Sequence, residues 1–369
     1  MKFQGIFLVL FLSLGIFGPV MAHIPDSTKT SGAPRVKFVF YPAAGYSPET
    51  SFELGAVGAF LLNSGHDSAK IPLRPATMVP HFLFTWNGQF MSAVKSDIYF
   101  KTGYYINFNI RYFDYPDQFF GIGSNTSSSK ESFTDRFFRI DGKLARAYHK
   151  KTFLGINFDW SADHLDDFRD GGILDTGNIA GTEGGYIFGI GPSVRFDTRD
   201  NILYPTRGIM AEANILAYPG NLTSGYSFTS LKVEGKYFTK VFSDNILAIQ
   251  AVFQLTSGNK IPFYRLPRLG GDTRMRGIEH ENRYIDRNAY YLQVEGRRDL
   301  FWRLGGVLFA AAGNVNSRLS EFGFRDIKYV FGIGGRFRPF KNDRLNLRMD
   351  IGKGPGDQYG IYLGVGEAF

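Results

Sequence analysis

The chain has 369 residues, no cysteine, a formal charge of +8 and 16% aromatic side chains, with 37 Phe and 20 Tyr. The absence of cysteine excludes disulfides, thiolate metal sites and a lipid-modified N-terminal cysteine. A mean hydropathy of −0.15, with no run after the N-terminus near the ~18 apolar residues of a spanning helix, excludes a helical membrane protein. The Lys and Arg residues are spread among acids along strand-like runs, which points to a charged interior rather than to nucleic acid. Anionic lipid headgroups are the secondary partner that this charge suits.

In chain order, residues 1–22 have the form of a cleaved export signal. Lys2 supplies the positive start, 6–17 the apolar stretch, and Val20-Met21-Ala22 a small-residue cleavage site before His23. Residues 23–34 are too few for a folded domain, which needs ~50 residues. From residue 35 the sequence falls into about sixteen period-two segments, at 36–43, 51–61, 75–86, 89–100, 103–113, 133–147, 151–161, 185–197, 206–217, 226–240, 245–256, 288–298, 303–314, 327–339, 343–353 and 358–369. Their length suits a tilted strand crossing a bilayer, ~9–11 residues. An even count of fourteen stays open.

The alternation within these segments separates apolar from charged faces. Ile106, Phe108, Ile110 and Tyr112 oppose Asn107, Asn109 and Arg111. Phe188, Ile190, Val194 and Phe196 oppose Ser193, Arg195 and Asp197; Leu345, Leu347, Met349 and Ile351 oppose Asn346, Arg348 and Asp350. Charges on one face of strand after strand do not fit a dry core, where each unpaired charge costs several kcal/mol, but they fit a wet lumen. A soluble sandwich would show the same alternation with its apolar face inward. The final segment weighs against it: Tyr359, Ile361, Leu363, Val365 and Phe369 share one face, and Phe369 is expected at the membrane interface. Connector lengths also alternate, with short ones such as 241–244 and 299–302 and long ones at 114–132, 162–184 and 257–287. The parity falters at 62–74 and at Asn87-Gly88, a strong hairpin signal. The expected fold is an all-β, antiparallel transmembrane β-barrel over 35–369.

The longest connector carries Gly270-Gly271-Asp272-Thr273-Arg274-Met275-Arg276-Gly277-Ile278, followed by Asn288 to Arg297 (NAYYLQVEGR). With 195–208 (RFDTRDNILYPTRG) and the close from 332 to 369, this stretch resembles the BamA/TamA-like outer-membrane barrels of the outer-membrane-protein-85 superfamily, the bacterial surface antigen type. The resemblance covers 186–369 by motif and the first half by pattern alone. It implies that the loop after the eleventh strand folds into the lumen, and that Arg276 of Arg276-Gly277 pairs with acids on the inner wall. Glu295 and Asp350 both lie on charged faces and either suits the guanidinium, since a confined arginine needs bidentate carboxylate partners. Tyr359 and Phe369 correspond to the terminal barrel signal. Ile278 replaces the family's aromatic, and Ala311 stands where the family often carries an acid.

The resemblance implies assistance in inserting or translocating outer-membrane proteins or lipids, in the outer membrane of a Gram-negative-type bacterium. The family's periplasmic POTRA domains have no counterpart in 23–34, so a separate periplasmic partner is expected beside the membrane lipid. A passive or gated pore for small anions is the alternative class. An outer-membrane enzyme ranks third. His164, among Asp163, Asp166, Asp167 and Asp170, reads as a solvated acidic tip rather than a catalytic or cation site. No Walker, HExxH or GxSxG pattern occurs. No cofactor is expected.

Overall fold

The computed structural model describes residues 35–47, 50–63, 76–100, 102–126, 130–149, 151–176, 179–242, 244–323, 325–339 and 344–369. The export signal expected at 1–22 and the segment 23–34 lie outside these. Sixteen strands form one antiparallel sheet in which each pairs with its neighbours in sequence. They are β1 (Arg35–Ser47), β2 (Ser51–Asn63), β3 (Ala76–Thr85), β4 (Phe90–Tyr99), β5 (Tyr104–Phe119), β6 (Glu131–His149), β7 (Thr152–Asp166) and β8 (Gly185–Asp197), followed by β9 (Gly208–Tyr218), β10 (Ser227–Val241), β11 (Asn245–Lys260), β12 (Asn288–Phe301), β13 (Leu304–Asn316), β14 (Lys328–Phe337), β15 (Leu347–Lys353) and β16 (Tyr359–Val365). Strands β1 and β16 come within 8 Å of one another. No ladder joins them among the described residues.

Burial is inverted relative to a water-soluble sheet. Along β7, Leu154 and Ile156 are exposed whereas Asn157, Asp159, Ser161 and Asp163 are buried. Leu308, Phe331, Ile333 and Ile351 lie outside, while Glu295, Arg297, Arg336 and Asp350 are all less than 5% exposed. An apolar outer belt around a charged interior is stable only where the outside is lipid and the inside is hydrated. That inversion removes the sandwich alternative.

The two rims differ. One carries short turns such as those between β6 and β7, β10 and β11, and β12 and β13; the other carries the β7–β8 and β11–β12 loops. At the long-loop rim the ends of six strands supply Phe119, Phe133, Leu165, Ile187, Tyr218 and Phe228. These pack with Leu174 from the β7–β8 loop and with Ile261, Phe263, Leu266 and Ile285 from the β11–β12 loop. Each buried large side chain contributes ~1.5–3 kcal/mol, so the loops hold together as an apolar cap over a polar lumen.

The end of the chain departs from the sequence-based expectation. Tyr359, Leu363 and Val365 face outward, but Phe369 is 6% exposed and does not sit at the membrane interface. It packs with Phe238, Ala248 and Ala368. The cause is Gly366, whose φ of +85° ends the alternation after Val365 and turns 367–369 inward. Its amide donates to the Asn346 carbonyl at 2.7 Å, which fixes that turn.

Candidate functional site

The β11–β12 loop, 261–287, runs through the lumen and meets the wall where its glycines and arginines cluster. Met275 and Gly277 both have positive φ, at +43° and +129°. A Cβ on Gly277 would lie 2.8 Å from the Lys353 carbonyl carbon, and one on Gly352 would lie 2.1 Å from the Arg276 carbonyl oxygen. Loop backbone therefore rests directly on β15 backbone, a contact only glycine on both sides permits. The loop's polar groups are then satisfied by the wall. Gly277 N–H donates to Tyr362 Oη at 3.0 Å, and that hydroxyl donates to the Ile278 carbonyl at 3.0 Å. Met275 N–H donates to Gln293 Oε1 at 2.6 Å.

Arg276 is 1% exposed. Its Nη2 donates to Glu295 and its Nη1 to Asp350. Its guanidinium carbon also lies 3.9 Å from the centre of the Phe309 ring. One fork thus engages β12 and β15 together and rests on an aromatic from β13 between them in sequence. The carboxylates are shared: Arg297 Nε reaches Glu295 at 2.8 Å, while Arg336 Nη1 and Arg348 Nη1 reach Asp350 at 2.6 and 3.0 Å. Arg348 Nη2 holds Asp272 of the loop at 2.9 Å, and Arg336 Nε holds Glu367 at 2.8 Å. Four arginines and four acids form one network, buried except at the exposed Asp272, in which mutual pairing offsets desolvation.

The expected site residues Arg276, Gly277, Glu295 and Asp350 converge in this network, with both acids on the guanidinium. Ile278, where an aromatic was looked for, is buried among Leu269, Tyr284 and Tyr291. Tyr359 stands apart on the outer surface, 54% exposed. Phe369 meets the network from inside, its carbonyl accepting from Arg297 Nη2 at 2.9 Å and its ring lying 5.3 Å from that guanidinium. Phe309, Tyr362 and Arg336 were not singled out from the sequence. Their inward phase on β13, β16 and β14 was readable, but the register that aims them at Arg276 was not.

The turn between β8 and β9 explains the 195–208 motif. Arg199 grips Asp197 through Nε at 3.1 Å and Nη2 at 2.8 Å. Asp200 accepts from the Thr206 amide and hydroxyl, both at 2.8 Å, from the Arg207 amide at 3.2 Å and from Arg344 at 2.8 Å. Burial pushes its carboxyl up, but these donors outweigh that and hold it down at about 2. Gly208, with φ +112°, leads into β9 where a Cβ would lie 2.6 Å from the Thr198 carbonyl oxygen.

Below the cap lies a cavity of about 680 Å³. Arg111, Arg139, Lys143 and Lys232 line it beside Asp117, Asp141, Asp159 and Glu212, so the field is not one-sided. His164 and Asp166 are 3.5 Å apart at the exposed end of β7.

A family model for the Omp85 superfamily domain matches residues 89–369, well over half the sequence. The chain belongs to the Omp85 superfamily. Among solved structures, a BamA from Haemophilus ducreyi lacking POTRA domains 1–3 is similar, at TM-score 0.57 and 10% identity, over 94% of this chain and 75% of that one. CdiB from Acinetobacter baumannii gives 0.56 at 11% identity over 90% and 65%, and CdiB from Escherichia coli 0.55 at 13% over 92% and 64%. At these identities the likeness is one of fold. The Omp85 chain thus spans slightly less than two thirds of each CdiB. No curated protein sequence matches it. Family and fold together make it an outer-membrane β-barrel.

Proposed function

We propose that this Omp85 barrel assists the insertion or transport of outer-membrane proteins or lipids. Its partners would be the membrane lipid and a periplasmic protein that delivers cargo. The observation carrying this reading is the luminal docking of 272–278, with Arg276 on Glu295 and Asp350. The docking joins a glycine contact and shared ion pairs to the burial of Met275 and Ile278 against the wall, contacts that detach and reform without breaking the strand ladders. The lock formed by Arg276, Gly277, Glu295 and Asp350 is part of this proposal, as are export by a signal removed after Ala22 and a barrel domain over 35–369. Depletion in the native host tests it: barrel proteins or lipids of the outer membrane should fall, and unchanged content of both would refute it.

The lumen cavity favours a second reading, a pore. The mixed charge of its lining gives little anion preference, and the apolar cap stands over it. Steady open conductance of the native protein in a planar bilayer, with unaltered outer-membrane content on depletion, would favour the pore.

A further inference from the structure

Arg276 does not hold the loop alone. At the loop's other end Pro262 and Pro267 bracket a short 3-10 turn, Phe263–Arg265, that divides its side chains sharply. Phe263 enters the apolar cap, while Arg265 turns to the β7 wall. Arg265 Nη1 donates to Asp159 Oδ2 at 3.0 Å and Nη2 to Ser161 Oγ, with Asp163 Oδ2 at 3.7 Å. Asp159 and Ser161 are at most 1% exposed. The Asp159 carboxylate is itself oriented by Arg139, at 2.7 and 2.8 Å, and by the Tyr218 hydroxyl at 2.8 Å. A preset carboxylate of this kind forms a strong, geometrically specific arginine contact.

The two contacts share no wall residue. Arg265 is held by β7, and Arg276 by β12 and β15; β15 lies eight strands along the sheet from β7. We infer that Arg265 is a second positioning residue, anchoring the near end of the loop to β7, so that the loop is a strap fastened at two separated walls of the lumen. Each anchor governs its own end. Full release of the strap requires both to let go. This inference stands on the placement of the loop and holds whichever cargo, or none, the barrel handles.

The chain has no cysteine, so single reporter thiols read out each end of the strap in the full-length protein in lipid vesicles. The reporters are Leu266→Cys and Ile278→Cys, both buried in the native loop, probed with a water-soluble maleimide. Arg265→Gln should speed labelling at 266 at least ~10-fold and leave 278 within ~3-fold, while Arg276→Gln should do the reverse, as for independent two-state contacts. Arg265→Lys keeps a cation beside Asp159 and should restore protection at 266 to within ~3-fold of native. Asp159→Asn should reproduce Arg265→Gln. Folded barrels are verified for each variant by gel mobility without boiling. Labelling at 266 that follows Arg276→Gln but not Arg265→Gln would overturn the second anchor, as would equal exposure of both reporters by either variant. A depletion phenotype, present or absent, leaves this result untouched, so the failure of one proposal is distinguishable from that of the other.

Discussion

Replacing Arg276 with alanine removes a guanidinium that is 1% exposed and leaves Glu295 and Asp350 without it. Breaking a buried ion pair from one side costs ~3–5 kcal/mol. The lower end applies, because Arg297 still compensates Glu295 while Arg336 and Arg348 still compensate Asp350. A loss of ~3 kcal/mol shifts the docked-to-released ratio of 272–278 by about 150-fold. Hydrogen exchange in detergent micelles measures that ratio at the Met275 and Gly277 amides, whose acceptors are Gln293 and Tyr362. Both should exchange about 100-fold faster, with the β12 and β15 ladders unchanged. Arg276→Lys, retaining the charge without the fork, should fall between. Protection of both amides within ~3-fold of native would refute the account, since the glycine contact and the apolar packing of Met275 and Ile278 would then suffice to hold the segment.

Gly277→Ala should detach the same segment while leaving every ion partner in place, because φ +129° and a Cβ 2.8 Å from Lys353 both oppose alanine; the same amides should lose protection by ~1–3 kcal/mol. In the β8–β9 turn, the lowered pKa of Asp200 means its stabilisation is complete above pH ~4 and lost as pH falls through about 2. Protection of the Thr206 and Arg207 amides, taken relative to the intrinsic exchange rate at each pH, should fall across that window, and Asp200→Asn should make it low and independent of pH. Ile333→Arg, on the outer belt of β14, should cost ~2–4 kcal/mol in urea unfolding from vesicles if that face meets the hydrocarbon midplane; an unchanged midpoint would place Ile333 elsewhere.

The barrel was legible because its signal repeats. Each wall strand alternates with period two, and the charged phase recurs from Asn107-Arg111 to Arg348-Asp350, so that a misplaced boundary changes little. The close was less legible. Alternation carried straight through 358–369 puts Phe369 with Tyr359, whereas the positive φ of Gly366 reverses the phase within one residue, and a Gly in a wall strand gives no sign that it will turn. At the candidate site, Arg276 and its acids stood out through the motif and their faces. Phe309 did not, because its place under the guanidinium depends on the pairing of β12 with β13, where Glu295 sits opposite Phe309. Arg265 was hidden for a different reason. A lone arginine between two prolines has no motif, and its partners on β7 lie some hundred residues earlier in the chain.

The network around Arg276 carries equal numbers of cations and anions, nearly all sealed from bulk solvent. Neutral drift at any one of these positions strands an odd charge, so descendants of this sequence can wander there only by matched steps, an acid and a base exchanged or lost together. The β12, β14 and β15 strands, which supply five of the eight charged residues, are correspondingly the part of the barrel least free to diverge one residue at a time.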